Sequence, residues 1–377
     1  GFYLITYNDL LTAGIDPSGI DPATMRIFSY PPYVQPDSID TGGSFEEDFH
    51  LSEHAVLYIG AGSDEFMPGD SLIFYGLGVD AWADDIDPSA SHRDYVEHPY
   101  DRENVYWLTW GGEFTGDARR MEPRSVDPTP PYDREVTSYE ARMHIELDLL
   151  YDAVHTDDRW YWKSIDPDVS SSFSNKFILD APAGPSGAVR TQAYGPWDGE
   201  NIPNNFNNTA NYYVNGANIG SLTWTVSYDF EPSFMPILEA PVTNLESGDN
   251  SFVAYKPEGG NMYILWYEVF YERLLRAVSG SLDFNAPQSA GSAHFVVHDM
   301  PVGPAFLFDV TEHESPSVLT AYRRAADQLE FEDSLDGSPR QYMAVSTSAL
   351  ARPELERTQV SSLRDDPASV SYTHLTL

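Results

Sequence analysis

Cysteine is missing altogether from the sequence. That excludes disulfides, thiolate metal sites and a cysteine nucleophile among these residues, and it leaves the compartment open. Lysine is scarce: it stands at Lys163, Lys176 and Lys256, and arginine supplies the rest of the basic side chains. Basic residues number 21 against 59 acidic ones, for a formal net charge of −38. A surface of that sign repels nucleic acid and anionic membranes, so neither is expected as a partner. It fits a well-solvated secreted protein, and equally one adapted to salty water, where screening relieves self-repulsion. No window approaches the roughly 20 apolar residues of a membrane-spanning helix, so membrane insertion is not expected. No P-loop, dinucleotide fingerprint or internal repeat is present. No initiator methionine or signal peptide precedes Gly1, which reads as a mature product or a fragment.

What the chain does hold is apolar and turn-forming. Of its 377 residues 41% are apolar, enough for real cores, and its 28 prolines and 26 glycines suit a turn-rich β protein. Two or three domains are expected at this length. The stretch Met262 to Arg276, MYILWYEVFYERLLR, is the centre of the pattern. On an ideal strand, Tyr263, Leu265, Tyr267, Val269 and Tyr271 take one face. Ile264, Trp266 and Phe270 take the other, broken by Glu268. A strand apolar on both faces belongs inside a sheet.

Shorter runs before and after it read as further strands: MRIFSY, AVLYI, SLIFY and NVYWLTW, then NKFILD, AVRTQAYG, NYYVNG, GSLTWTVSYDF, SFVAYKP, GSLDFN, AHFVVHD, PAFLFDVT and QYMAV. Thr6 to Gly14 predicts a short helix with Thr6 as N-cap and Gly14 as stop. Tyr139 to Asp152 reads as strand or helix, and its periodicity does not decide. Thr320 to Glu330 predicts a helix or a solvated connector. The expected fold is mainly β with few short helices. Residues 1–166 form a β-rich N-terminal domain and 167–316 a jelly-roll-like antiparallel β-sandwich. Residues 317–370 follow as a connector or strap.

Chemistry-bearing patterns are thin. Asp64, Glu65 and Asp70 lie in the Gly-rich turn GAGSDEFMPGD and are candidate calcium ligands, although the spacing is not that of an EF-hand and a plain turn explains it. His50 and His54 have the i, i+4 spacing of a zinc helix, but FHLSEHAVLYI reads as turn into strand, so structural or surface histidines are expected. Gly184-Pro185-Ser186-Gly187 begins a nucleophile elbow, but Ala188 stands where the second glycine belongs. No carboxylate pair for glycoside hydrolysis can be chosen among so many acids. The tryptophans at 82, 107, 110, 160, 162, 197, 224 and 266 favour core packing over sugar stacking. Asn207-Asn208-Thr209 is a formal glycosylation sequon that reads as a polar loop.

Several longer patterns agree in order: FYLITYNDLLTAGID, MRIF, DEFMPGDSLIFYGLGVD, HPYDRENVYWLTWGG, ILWYEVFYERLLRA, AFLFDVTEHESPSVL and YMAVSTSALARPELER. Together, over residues 1 to about 366, they resemble the non-catalytic N-terminal half of gingipain-type cysteine peptidases of Bacteroidota, especially the type IX secretion sortase (PorU-like) group. The resemblance implies a secreted or outer-membrane-associated bacterial protein, with a caspase-like domain carrying a His/Cys pair after the strap. None of those catalytic positions falls within this sequence, so no catalytic residue carries over and this chain alone is not expected to be an enzyme. The role implied is a scaffold that supports the missing C-terminal peptidase domain, with type IX secretion components as further partners. The alternative is a carbohydrate- or surface-binding β-sandwich module. Ser371 to Leu377, SYTHLTL, looks like a translated sequencing adapter, so a truncated gene with a foreign tail is expected. No cofactor is expected beyond the calcium considered above.

Overall fold

The computed structural model describes residues 1–30, 51–62, 64–86, 90–91, 93–98, 102–151, 160–195, 206–226, 237–259 and 261–357. His50, Asp87, His92, Trp197 and the 371–377 tail lie outside the described residues. The protein is mainly β with few short helices, as the turn-rich composition predicts.

The chain opens with β1 (Phe2–Thr6) and α1 (Tyr7–Thr12). Thr6 caps the helix as expected: its Oγ1 accepts from the Asp9 amide at 3.3 Å, and Asp9 Oδ2 accepts from the Thr6 amide at 2.7 Å. This reciprocal box satisfies two donors that the first helical turn leaves open. Gly14 at φ +77° lets the chain leave the helix. Next come β2 (Arg26–Ser29), β3 (Ser52–His54), β4 (Val56–Ile59), β5 (Ser71–Tyr75), β6 (Ala81–Trp82), α2 (Ala83–Ile86), β7 (Tyr95–Val96) and β8 (Tyr106–Thr109). They make the sheets β1-β5-β4 and β3-β2-β8 and the small pair β6-β7. Ile5, Leu10, Met25, Ile27, Phe66 and Leu72 are buried together between them. Ala351 returns to this region and hydrogen-bonds β1 on both sides of Tyr3, to Phe2 and Leu4. Leu355 packs on the same core.

The middle of the chain holds β9 (Pro123–Ser125), β10 (Arg134–Val136), β11 (Ser138–Glu146), β12 (Leu150–Tyr151), β13 (Trp160–Tyr161), β14 (Lys163–Ile165) and β15 (Ser172–Leu179). It continues through β16 (Pro182–Tyr194), β17 (Phe206–Val214), β18 (Ala217–Val226), β19 (Leu238–Val242), β20 (Gly248–Tyr255) and β21 (Met262–Leu274). β21 is an inner strand as its two apolar faces require, with β11 and β14 on one side and β16, then β19, on the other. The sheet β15-β20-β17-β18 packs across it to make a sandwich, with Phe173, Phe177, Tyr212, Phe252, Tyr267 and Val269 among the residues between.

The face assignment along β21 differs from an ideal strand. Gln192 pairs Trp266 while Ala193 pairs Ile264, which leaves Leu265 as an extra residue. Such a bulge reverses the alternation. Met262 and Ile264 therefore face the sandwich core before it, and Tyr267, Val269 and Tyr271 after it. Leu265 instead joins Tyr161 and Tyr194 in a separate cluster.

The last part supplies β22 (Ser281–Asn285), β23 (Gly291–Val297), β24 (Ala305–Asp309), β25 (Ser317–Thr320), β26 (Arg323–Ala325), β27 (Gln328–Leu335) and β28 (Gln341–Ser346). Two sheets, β22-β28-β24-β25-β9 and β10-β23-β27-β26, enclose Leu282, Phe284, Phe295, Phe331 and Tyr342. The pairs β9–β25 and β10–β23 are parallel, so early and late segments share sheets. Pairing thus runs across the expected cuts at 166 and 316. The segment expected as a connector provides β25 to β28 over residues 317–346. Thr320 to Glu330 is not helical: Leu329, Phe331 and Asp333 are buried at a period of two, and Ala326 turns the chain at φ +52° between β26 and β27. Arg124 of β9 reaches Asp309 at 2.8 Å and Asp333 at 2.6 Å, fastening the early strand to the late sheets.

Candidate functional site

A buried polar cluster lies on the outer face of the β21 sheet. The register sets His144 of β11 opposite Glu268 of β21, Glu268 opposite Arg190 of β16, and Arg190 opposite Glu239 of β19. Four strands therefore carry a row of alternating charge. His144 Nδ1 is 3.1 Å from Glu268 Oε1, and its Nε2 is 3.0 Å from Glu146 Oε2. Arg190 Nη1 donates to Glu268 Oε2 at 3.0 Å. The Tyr95 ring lies flat on the imidazole at 4.1 Å, and Trp82 meets it edge-on. Arg142, beside them on β11, pairs with Asp85 at 2.9 Å and Asp84 at 2.5 Å. The β6-α2-β7 segment is thus held over the sheet by ion pairs and stacked rings.

Burial works against a charge on His144, but hydrogen bonds to Glu146 and Glu268 outweigh it and push its pKa up to about 9. Both ring nitrogens are committed, so the imidazole offers no lone pair to a substrate at neutral pH. The sequence marked Glu268 as the break in an apolar stretch. It gave no sign that Arg190 and His144 stand beside it, because register across strands is a tertiary fact.

A second His pair occurs in the N-terminal part. Ser29 Oγ and His54 Nε2 are 2.7 Å apart, both residues are buried, and burial lowers the His54 pKa. His54 Nδ1 has no hydrogen-bond partner among the described residues, so the orienting group of a nucleophilic triad does not stand behind it. His54 belongs to β3, an extended strand, where i, i+4 spacing does not put two side chains on a helical face.

The turn carrying Asp64, Glu65 and Asp70 keeps the first two exposed and buries the third. Asp70 Oδ2 accepts from Tyr58 Oη at 2.7 Å and from the Met67 amide at 2.8 Å, hydrogen bonds that hold its carboxyl below the usual range despite burial. This carboxylate organises the turn. Acidic oxygens close enough to share one cation are found instead on Glu97, Glu146 and Asp148, within 4.8 Å of one another. Arg102 supplies positive charge there, pairing with Glu97 at 3.0 Å and with Asp148. Ser186 and Gly187 lie within strand β16, not on a strand-to-helix elbow.

Among the tryptophans, Trp82 and Trp162 are buried, while Trp107 and Trp160 are 37% and 41% exposed. Trp160 packs against Tyr151 at 5.0 Å on the β12–β13 pair, next to exposed Leu147, Leu149 and Leu150. A cleft of about 320 Å³ opens between β11 and β22, lined by Tyr139, Arg142, Tyr271, Arg273, Asp283 and Asn285. Asp283 accepts from Gln341 there at 3.0 Å, and desolvation in the cleft pushes its pKa up.

No protein-family model and no curated protein matches the sequence. Among solved structures, dimeric latent PorU from Porphyromonas gingivalis aligns over 94% of this chain with a TM-score of 0.67 and 15% identity. The chain has a PorU-like fold. It spans 32% of that protein's chain. A family 35 carbohydrate binding module from Clostridium thermocellum aligns over 35% of this chain and 95% of its own, with 15% identity and a TM-score of 0.22. A β-porphyranase from Bacteroides plebeius covers 74% of this chain and 33% of its own, with 11% identity and a TM-score of 0.23. Likenesses that weak carry nothing about this chain.

Proposed function

We propose that this chain is the non-catalytic scaffold region of a secreted or surface-attached, gingipain-like cysteine peptidase of the type IX secretion sortase kind. The observation that carries the reading is the PorU-like fold over 94% of the chain. The chemistry of the clusters supports it: His144 is clamped as a cation, and Ser29 and His54 are buried away from any substrate. In this reading the two sandwiches position a downstream peptidase domain, and secretion components are further partners. No helix among the described residues is long and apolar enough to cross a membrane. The test is the genomic locus. An open frame running past codon 377 into a domain with a His/Cys pair is the expected result, and a native stop codon directly after Leu377 overturns the reading.

A second reading, a surface- or carbohydrate-binding module, is favoured by the exposed Tyr151–Trp160 pair and its leucine neighbours. Its mark is saturable binding to an insoluble polysaccharide that Trp160→Ala abolishes.

A further inference from the structure

Lys256 is the one lysine of the sequence that is fully buried. It follows β20, on the inward face continued from Phe252 and Ala254. Asn208 sits on neighbouring β17 in line with inward-facing Ala210 and Tyr212, and it is 2% exposed. The strands pair with Asn211 opposite Tyr255, which sets the two polar side chains against each other at one end of the sandwich core. Nζ lies 2.8 Å from Asn208 Oδ1 and also donates to the Glu258 carbonyl. The Trp224 ring covers it at 5.5 Å. Gly195 makes room for that ring, since a Cβ there would stand 2.3 Å from the indole nitrogen.

A primary amine and a carboxamide held in contact away from water are the two halves of an amide exchange. One C=O bond is about 1.2 Å, so Asn208 Cγ is within about 4 Å of Nζ, and a small shift of Nζ from the carbonyl oxygen towards Cγ brings the pair to the roughly 3–3.5 Å of attack. Fixed proximity of this kind replaces a bimolecular encounter by an intramolecular one. Excluding water suppresses the competing hydrolysis.

We infer that Lys256 and Asn208 are the modification site of a spontaneous intramolecular isopeptide cross-link. Nζ attacks Asn208 Cγ, the new Cγ–Nζ bond forms and the Cγ–Nδ2 bond breaks. The side-chain nitrogen leaves as ammonia with the hydrogen that Nζ gives up. No oxidant enters and no other product forms. The bond would join two neighbouring strands and close a loop between positions 48 residues apart. A chain without cysteine would gain in this way the kind of covalent staple that disulfides give other exported proteins.

Intact-mass spectrometry of the purified, folded chain under denaturing conditions tests this. The expected result is a mass lower by one ammonia, about 17 Da, and a tryptic branched peptide joining Lys256 to Asn208. Asn208→Ala and Lys256→Met should each restore the full calculated mass. A full-length mass with unmodified Lys256 in the digest overturns the proposal. So does an ammonia loss that maps to another position, such as a cyclised asparagine, or that persists in both variants.

Discussion

Glu268→Ala and Lys163→Ala should differ greatly in their effect, although each removes one charge. Lys163 is exposed, whereas Glu268 stands between His144 and Arg190 with 2% of its side chain reaching solvent. Removing the carboxylate leaves two buried cations facing each other, a loss of about 3–5 kcal/mol. Urea denaturation should show the midpoint falling with its slope unchanged, and a surface-like effect under about 0.5 kcal/mol would contradict the burial. His144 gives a pH signature. Its folded pKa of about 9 lies above the ordinary histidine value of 6.5, so the stabilisation it brings is full below about 6.5 and is lost as pH rises through 9. The stability difference between the native chain and His144→Gln should therefore shrink between pH 6.5 and 9. A constant difference across that window would mean that the imidazole is not held as a cation.

At the scale of elements, Gly187 shows how a weak motif dissolves into packing. The GPSG run suggested an elbow, but it is part of β16, where the register shifts between Pro182 and Gly187. A Cβ on Gly187 would lie 2.4 Å from the Phe270 carbonyl oxygen and 2.7 Å from Leu245 Cδ1. Gly187→Val should destabilise by about 1–3 kcal/mol through forced displacement of β21, read as a drop in melting temperature. The same strand marks the limit of legibility. Its inner position follows from apolar side chains on both faces, and the α1 cap follows from Thr6 and Asp9. The Leu265 bulge leaves no local trace, and one extra residue reverses which side chains meet the core. Thr320 to Glu330 misled because Arg323, Arg324, Ala325 and Ala326 favour a helix, while burial of Leu329, Phe331 and Asp333 between sheets decides for strands. Of the candidate site, Glu268 and the Asp70 turn were visible as residues. Their partners depend on register and were not.

For the whole molecule, charge and architecture make separate predictions. With 59 acidic against 21 basic residues, self-repulsion outweighs what exposed ion pairs contribute. Added sodium chloride should raise the denaturation midpoint through screening, while buried pairs such as Arg190–Glu268 change little. A midpoint that falls with salt would rule out repulsion as the dominant surface term. The architecture consists of two sandwiches tied by early strands inserted into late sheets, with Ala351 and Leu355 laid back on the N-terminal core. The most direct measurement is the thermal unfolding of the downstream peptidase domain that the proposed scaffold reading requires, prepared with and without residues 1–357. The scaffold reading predicts that the domain melts at a markedly lower temperature, or fails to stay soluble, when it is alone. An isolated domain that melts at the same temperature and cleaves peptides equally well would contradict it.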